Sequence, residues 1–210
     1  IGSGVRIDYI TNPFGGALRL DQIQFSIFNF SRFGLDPAVA GQFSIFSSLF
    51  ILIWLIVIMN AVNWLDGIDG LASGVSLVGF VVIFFLSVSG FVNQPPIAIV
   101  SAILAGAVLG FLIYNFPRRG GAKIILGTSG SIFLGFMLGS LSILSGSKIA
   151  TAFLVLSLPV LDAGWVIWHR LRRGQSILKG DKTHLHHRLM EAGVSVAKIT
   201  LGLILFSAVL

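Results

Sequence analysis

Carboxylate and carboxamide side chains recur at regular spacing in one short stretch, residues 60–72. Asn60, Asn63 and Asp66 are three residues apart, Asp69 follows after three more, and a glycine comes directly after each Asp. On a helix the first three side chains would share one face. Such groups at the end of a membrane-length helix cost free energy unless something uses them. A polar cap and turn explains one Asp-Gly pair but not the repeated pattern, so we predict a ligand site here.

A second candidate stretch reads Gly-Thr-Ser-Gly-Ser at residues 127–131, at the expected start of a helix. Backbone N–H groups and hydroxyls at a helix N-terminus attract phosphate. Plain N-capping by Thr128 or Ser129, with glycine for close packing, explains the same residues equally well. Both interpretations stay open from the residues alone.

The third candidate stretch holds histidines among cationic residues. It contains Asp181, His184, His186, His187 and Arg188. Metal sites usually add carboxylates or thiolates at fixed spacing, whereas the neighbours here are mainly cationic. This favours an anionic group such as a diphosphate over a divalent cation held by histidine. A basic juxtamembrane loop that binds anionic lipid would explain residues 170–173 but not the histidine cluster.

The composition indicates a membrane protein. The 210 residues are 55% hydrophobic and only 10% charged, with a mean hydropathy of +0.96, whereas a soluble domain carries about 25% charged residues. The absence of cysteine excludes disulfides and thiolate sites. A formal charge of +6 is small for a nucleic-acid binder, and the basic residues flank apolar runs as the positive-inside rule requires.

The elements that must position these stretches are apolar helices. We predict an all-α, multi-pass integral membrane helical bundle that forms a single membrane domain over 1–210, with a short external hairpin near the N-terminus. The hairpin pairs 5–10 with 17–20 around turn residues 11–16. Runs of about 20 apolar residues cross the hydrocarbon core, and they are expected near 43–60, 75–92, 96–114, 130–145, 149–169 and 196–210.

The positions of lysine and arginine predict the orientation. The loops around 118–123 and 170–188 carry most basic residues, and the opposite loops carry only Lys148, so the basic loops are expected in the cytoplasm. Counting helices back places residues 60–72 on the same side, and all three candidate stretches therefore share one face. Asp162, inside an apolar run, should face a bundle interior or a polar cavity. Both ends fall in unfinished patterns, so we expect a piece of a longer protein without a cleaved signal peptide.

Taken together, these motifs resemble a known family. The spacing Asn-x-x-Asn-x-x-Asp-Gly-x-Asp-Gly-Leu-Ala, the Asn-Phe-Pro before a Gly-x-x-Gly-Ser-x-Phe-Leu-Gly helix, and the His-x-His-His-Arg-Leu motif occur in this order. They are similar to those of the polyprenyl-phosphate N-acetylhexosamine-1-phosphate transferases, of the glycosyltransferase family 4 type. The histidine motif and Asp162 resemble the branch that initiates O-antigen, common-antigen or teichoic-acid linkage synthesis.

The resemblance implies a reaction and a set of residues for it. A sugar-1-phosphate, commonly N-acetylglucosamine-1-phosphate, moves from a UDP-sugar to polyprenyl phosphate and releases UMP. By resemblance, catalytic roles fall to five residues, Asp66, Asp69, His184, His186 and His187. Substrate binding falls to six others, Asn60, Asn63, Gly67, Lys123, Asp181 and Arg188. The expected cofactor is Mg²⁺, with Mn²⁺ as an alternative, because a diphosphate needs cations to offset developing charge.

The chain departs from the family pattern in two places. The family's Asp-Asp pair does not occur in these 210 residues, and the resemblance implies that it lies upstream. Thr128 stands where the family has its metal-binding Asp, and a neutral hydroxyl is a far weaker ligand for a hard dication. The metal ligands therefore stay unassigned. Arg118 and Arg119 resemble an insertion that could bring positive charge near the phosphate.

Three functions remain in order of preference. A transferase at the cytoplasmic face of the bacterial inner membrane comes first, with UDP-sugar, polyprenyl phosphate and membrane lipid as partners, no nucleic acid, and a homodimer left open. A catalytically impaired relative that binds UDP-sugar or polyprenyl phosphate comes second, because of Thr128. A transporter or channel comes last. Its polar groups would lie near the bilayer midplane, whereas the three candidate stretches here are predicted to share one face.

Overall fold

A computed structural model describes residues 9–11, 17–19, 45–90, 93–118, 121–145, 164–166, 168–169, 171–172, 174 and 185–209. Within these ranges the chain is mainly helical, and it divides into two compact units, Ile1–Ile56 and Val57–Leu210. The fold is an all-α multi-pass membrane bundle with an N-terminal hairpin, as predicted. The expectation of a single membrane domain over the whole chain stays a prediction.

The first unit contains the hairpin. Strand β1 (Tyr9–Thr11) pairs with strand β2 (Ala17–Arg19) in an antiparallel sheet. The register places Tyr9 opposite Arg19 and Thr11 opposite Ala17. Residues 5–8 and 20 of the predicted strands and residues 12–16 of the predicted turn lie outside the described residues. Thr11 belongs to β1 rather than to the turn, and its β-branched side chain suits a strand.

Six helices with described bounds follow, numbered here in chain order. Helix α1 begins in the first unit and ends in the second, and the others belong to the second unit. They are α1 (Ile45–Leu65), α2 (Leu71–Val88), α3 (Pro95–Asn115), α4 (Gly127–Leu144), α5 (Leu185–Glu191) and α6 (Val196–Val209). The first four are long and apolar enough to cross a membrane. The predicted segment 149–169 lies largely outside the described residues, as does Asp162.

Helix α2 is the most enclosed of the four long helices and packs against α3, α4 and α6. Against α6 the contact is close, because Ile204 fills the space that a Cβ at Gly74 would occupy. One turn earlier on each helix, Thr200 lies beside Gly70. Both pairs advance in the same direction along the chain, so α2 and α6 run parallel.

Helices α1 and α4 meet backbone to backbone. A Cβ at Gly135 would lie 2.7 Å from the Cα of Met59 and 3.1 Å from the carbonyl oxygen of Ile58. One turn earlier on α4, Ser131 bonds to Asn63, which lies one turn later on α1. These two helices are therefore antiparallel, and a small residue at the crossing lets them approach, as is common between membrane helices.

The observed helix ends differ from the predicted segments mainly around residues 60–75. Helix α1 continues to Leu65 and α2 begins at Leu71, whereas the apolar runs suggested ends at 60 and 75. Asn60 and Asn63 thus lie on α1 itself. A segment predicted from hydropathy ends where polar residues begin. The helix itself continues, because the carboxamide side chains project from it without interrupting its backbone hydrogen bonds.

Candidate active site

The two aspartates lie in a tight connection, Asp66 to Gly70, which we call the aspartate turn. It contains every residue between α1 and α2. The Asp66 N–H donates to the Asn63 carbonyl at 3.2 Å and the Leu71 N–H to the Ile68 carbonyl at 3.3 Å. Gly70 ends the turn with φ of 78°, in the left-handed region that glycine adopts without strain.

Space as well as φ requires glycine at position 70. A Cβ there would lie 3.1 Å from Pro117 Cδ, 3.3 Å from Phe116 Cα and 3.3 Å from Thr200 Cγ2. The turn is thus enclosed by the end of α3 on one side and by α6 on the other. We call this end of the second unit, where α1 and α3 finish and α2, α4 and α6 start, the polar end.

Asn115, the last residue of α3, joins three segments of the polar end. Its Oδ1 accepts the Gly70 N–H at 3.0 Å and the Ser73 hydroxyl at 2.8 Å. Its Nδ2 donates to the Ile124 carbonyl at 2.9 Å. Only 2% of Asn115 is exposed, and its bonds to Gly70 and Ser73 are buried. The side chain fixes the aspartate turn, the start of α2 and the segment before α4 relative to one another.

The segment between α3 and α4 reaches Asp69 directly. The Ala122 N–H donates to Asp69 Oδ2 at 3.4 Å, and the neighbouring Lys123 N–H closes the loop by donating to the Tyr114 carbonyl at 2.9 Å. Lys123 itself is exposed. Lys123, which the sequence predicts as a substrate-binding residue, therefore directly follows Ala122, the residue that contacts Asp69.

The two carboxylates of the turn influence each other. Burial of Asp66 raises the pKa of its carboxyl above the ordinary 3.8, and the negative charge of Asp69 raises it further. Both causes disfavour the ionised form. A cation bound beside the pair would relieve the repulsion and lower this pKa. The site is therefore suited to receive positive charge.

Helix α4 begins beside Asn63. The Ser131 hydroxyl lies 2.8 Å from Asn63 Oδ1 and 3.1 Å from the Thr128 carbonyl, so its proton can serve either acceptor. Asn63, which is predicted to bind substrate, thus accepts a hydrogen bond from within the protein. Thr128 lies exposed on the first turn of α4, and Gly127 before it has φ of 71°.

The other predicted site residues are placed to different degrees. Asn60 and Gly67 are exposed on α1 and in the aspartate turn, and Arg188 is exposed on α5. His186 and His187 belong to the backbone of α5, and their side chains lie outside what the structure describes. Asp181 and His184 lie outside the described residues, as does Arg119.

The polar end also relies on Ser73 and Thr200, which the sequence did not single out. It relies too on Asn115 and Ser131, which belong to the sequence motifs but had no site role assigned to them. The Thr200 hydroxyl donates to the Asp69 carbonyl at 3.0 Å. Asn115 had a recognisable pattern, a carboxamide at the end of a long apolar helix before Phe-Pro. Thr200 had none, because single threonines are common in apolar helices.

A divalent cation could be held by the turn itself. Asp66 and Asp69 supply two carboxylates in electrostatic reach of each other. Among the described residues no group of three or more His, Cys, Asp or Glu side chains could hold a metal. Mg²⁺ is commonly bound by one or two carboxylates, with phosphate oxygens and water completing its shell. The donor set therefore fits Mg²⁺ bound together with a phosphate ligand.

Comparison with known proteins places the chain in a family. Residues 14–146 match the family model described as glycosyl transferase family 4. A probable undecaprenyl-phosphate N-acetylglucosaminyl 1-phosphate transferase of Bacillus subtilis is 39% identical, over 68% of this chain and 40% of that protein. A decaprenyl-phosphate N-acetylglucosaminephosphotransferase of Mycolicibacterium smegmatis is 38% identical, over 83% of this chain and 49% of that protein.

An undecaprenyl-phosphate alpha-N-acetylglucosaminyl 1-phosphate transferase of Escherichia coli K12 is 33% identical, over 77% of this chain and 44% of that protein. The chain thus covers less than half the length of each of these three relatives. The family model nevertheless covers both the aspartate turn and the start of α4. With this match and with these motifs in order, the chain belongs to glycosyl transferase family 4.

Proposed function

We propose that the full-length protein transfers a sugar-1-phosphate, N-acetylglucosamine-1-phosphate, from its UDP-sugar to a polyprenyl phosphate. The observation that carries the proposal is the aspartate turn, in which Asp66 and Asp69 lie together at the end of membrane-length helices. The names of the relatives, which are polyprenyl-phosphate N-acetylglucosamine-1-phosphate transferases, support the same reaction.

The proposed reaction balances without any redox or hydrolytic partner. An oxygen of the lipid phosphate forms a bond to the phosphorus that bears the sugar. The bond from that phosphorus to the oxygen of the uridine phosphate breaks, and UMP leaves with the electron pair. Mg²⁺, when bound, would offset the negative charge of the phosphates.

The chain's own residues would bind and orient the substrates. Asp66 and Asp69 would hold Mg²⁺ from the protein side. Lys123, next to the segment that contacts Asp69, would attract the diphosphate. The third candidate stretch would bind the diphosphate and sugar, through His184, His186, His187 and Arg188. With a phosphate acceptor, no proton has to be removed from the nucleophile, so the demand on the protein is mainly positioning and electrostatics.

The membrane supports this assignment and sets the location. A polyprenyl phosphate keeps its chain in the bilayer and its phosphate at the surface, which suits carboxylates placed at the ends of spanning helices. We propose that the polar end faces the cytoplasm of a bacterial inner membrane, where the basic loops favour it. Peripheral Asn60 and Gly67 would then meet the nucleotide from the aqueous side.

The experiment is a transfer assay with purified full-length protein in liposomes. It receives UDP-N-acetylglucosamine labelled in the sugar, polyprenyl phosphate and Mg²⁺, with Mn²⁺ in a parallel reaction. We expect labelled lipid and an equal amount of released UMP. No labelled lipid under either metal would contradict the proposal, and labelled N-acetylglucosamine-1-phosphate without labelled lipid would indicate hydrolysis instead.

A second candidate is a relative that binds the substrates with impaired turnover. It is favoured by Thr128, which is exposed on α4 one turn before Ser131. Thr128 therefore lies on the same face of α4 as Ser131, the residue that bonds to Asn63. A neutral hydroxyl there adds little to a Mg²⁺ site. Under this candidate Thr128→Asp raises the rate of transfer more than about tenfold at saturating Mg²⁺. An unchanged rate contradicts it.

A further inference from the structure

We propose that Thr200 is a positioning residue for the aspartate turn and acts by fixing the peptide group between Asp69 and Gly70. Thr200 lies on α6, 131 residues further along the chain from Asp69. The inference rests on the proposed function, since the carboxylates that it positions are those assigned there. It gives α6 a role in the site that its sequence does not indicate.

The Asp69–Gly70 peptide is held at both of its polar atoms. Thr200 Oγ1 donates to the Asp69 carbonyl at 3.0 Å, and the Gly70 N–H donates to Asn115 Oδ1 at 3.0 Å. The carbonyl and the N–H belong to one planar unit, so two bonds from two different helices fix the orientation of that plane. Thr200 is 0% exposed and Asn115 is 2% exposed, so both side chains that hold this peptide are themselves shielded from water.

The backbone, more than the carboxylate, is what the protein holds at Asp69. The contact from the Ala122 N–H to Asp69 Oδ2 is 3.4 Å, longer than the usual range for an N–H···O bond. Both bonds to the adjacent peptide are shorter, at 3.0 Å, and the one from the Gly70 N–H is buried. The direction in which the Asp69 side chain leaves the main chain is therefore set by Thr200 and Asn115, while the carboxylate stays available to a ligand.

The same bond links the third predicted stretch to the first. Helix α5 carries the backbone of the histidine motif and ends in a short connection to α6, in which the Val194 N–H donates to the Leu189 carbonyl at 3.1 Å. Thr200 follows one turn after the start of α6. Docking of Thr200 onto Asp69 thus fixes the helix that directly follows α5 relative to the aspartate turn.

A threonine that only filled space would behave differently from one that donates a bond, and two substitutions separate the cases. Thr200→Val keeps the shape and removes the hydroxyl. Thr200→Ser keeps the hydroxyl and removes the methyl group that lies near Gly70. The matched control is Ser207→Ala, since Ser207 is buried on the same helix and its hydroxyl has no partner among the described residues.

The experiment measures full-length protein in two ways. Amide hydrogen exchange of residues 66–72 reports on the turn, and kcat and KM for UDP-N-acetylglucosamine report on the reaction. For Thr200→Val we expect exchange about fivefold faster and kcat lower by about tenfold to a hundredfold, with KM changed less than about threefold. Thr200→Ser should restore both, and Ser207→Ala should match the wild type.

Each other outcome has a defined meaning. Unchanged exchange, unchanged kcat, or a Thr200→Ser variant that behaves like Thr200→Val overturns the positioning role. If the wild type transfers no sugar phosphate, the proposed function fails. The hydrogen-exchange data then decide by themselves whether Thr200 holds the Asp69–Gly70 peptide. Faster exchange of 66–72 in Thr200→Val alone then supports the hold on the Asp69–Gly70 peptide, and equal exchange in all variants overturns it.

Discussion

The polar end and the apolar remainder of the second unit are held together in different ways. At the polar end, buried side chains bond across elements, as Asn115 does to the aspartate turn and Thr200 to Asp69. Along the helices, contact depends on small residues, as at Gly74 and Gly135. Four buried serines there have no hydrogen-bond partner within the described part of the chain, Ser76, Ser87, Ser101 and Ser207.

The difference separates two tasks. Close packing of helices sets how near they come but tolerates small rotations, whereas hydrogen bonds to one peptide group fix direction. Under the proposed function, the aspartate turn needs directional bonds because its carboxylates would have to point at a ligand. The remaining helix surface needs only shape complementarity and an apolar exterior. Substitutions at the two regions should therefore affect different observables.

The largest effect is expected from Asn115→Leu. The change removes three bonds, two of them buried, and leaves the buried Gly70 N–H without its partner. We expect transfer to fall by more than about a hundredfold and the free energy of unfolding to fall by about 2–4 kcal/mol. Transfer assays and denaturant titration in mixed micelles measure these. Near-normal transfer would show that the polar end does not depend on directional bonds.

Gly135→Val should break the other region. A side chain there meets the Cα of Met59 at 2.7 Å, so α1 and α4 must separate, at a cost of about 1–3 kcal/mol in the free energy of unfolding. Gly110→Val is the matched control, because nothing lies within 4 Å of a Cβ at Gly110. Equal losses of stability in the two variants would contradict the close α1–α4 packing.

The pH dependence of the aspartate turn gives a further test. Burial and the charge of Asp69 raise the pKa of Asp66 above 3.8, so the folded state binds more protons than the unfolded state in this window. The free energy of unfolding should therefore fall as the pH rises from 3.8 through the raised pKa. Asp69→Asn removes the like charge, and the fall should move to lower pH.

Titration of stability against pH in both proteins checks this sign. Residual transfer in Asp69→Asn should show the same displacement, because an ionised Asp66 would then be reached at lower pH. A displacement to higher pH, or no displacement at all, would show that the two carboxylates do not interact in the folded protein.

The smallest effects come from single serines, and they sharpen the comparison. Ser131→Ala removes a bond between α4 and Asn63 and should cost about 1 kcal/mol in the free energy of unfolding. Ser76→Ala removes a buried hydroxyl that has no partner among the described residues and should change stability by less than about 0.5 kcal/mol. Equal losses would mean that Ser131 gains nothing from its partner on α1.

The sequence predicted the fold because hydropathy and length decide membrane helices. The N-terminal hairpin followed from turn chemistry, and the regular spacing at residues 60–72 pointed to the aspartate turn. The bonds that hold the turn were not predictable, since Asn115 lies 45 residues from its partner Gly70 and Thr200 lies 131 residues from its partner Asp69. Such long-range pairs depend on how helices dock, which one sequence does not encode as a local pattern.

Family membership does not by itself show that this aspartate turn handles a nucleotide sugar. The most direct test is exchange of labelled UMP into UDP-N-acetylglucosamine by the full-length protein, compared with Asp66→Asn and Asp69→Asn. Our account predicts exchange that requires Mg²⁺ or Mn²⁺ in the wild type and a loss of at least about a thousandfold in each variant. Exchange at the wild-type rate in both variants would contradict it.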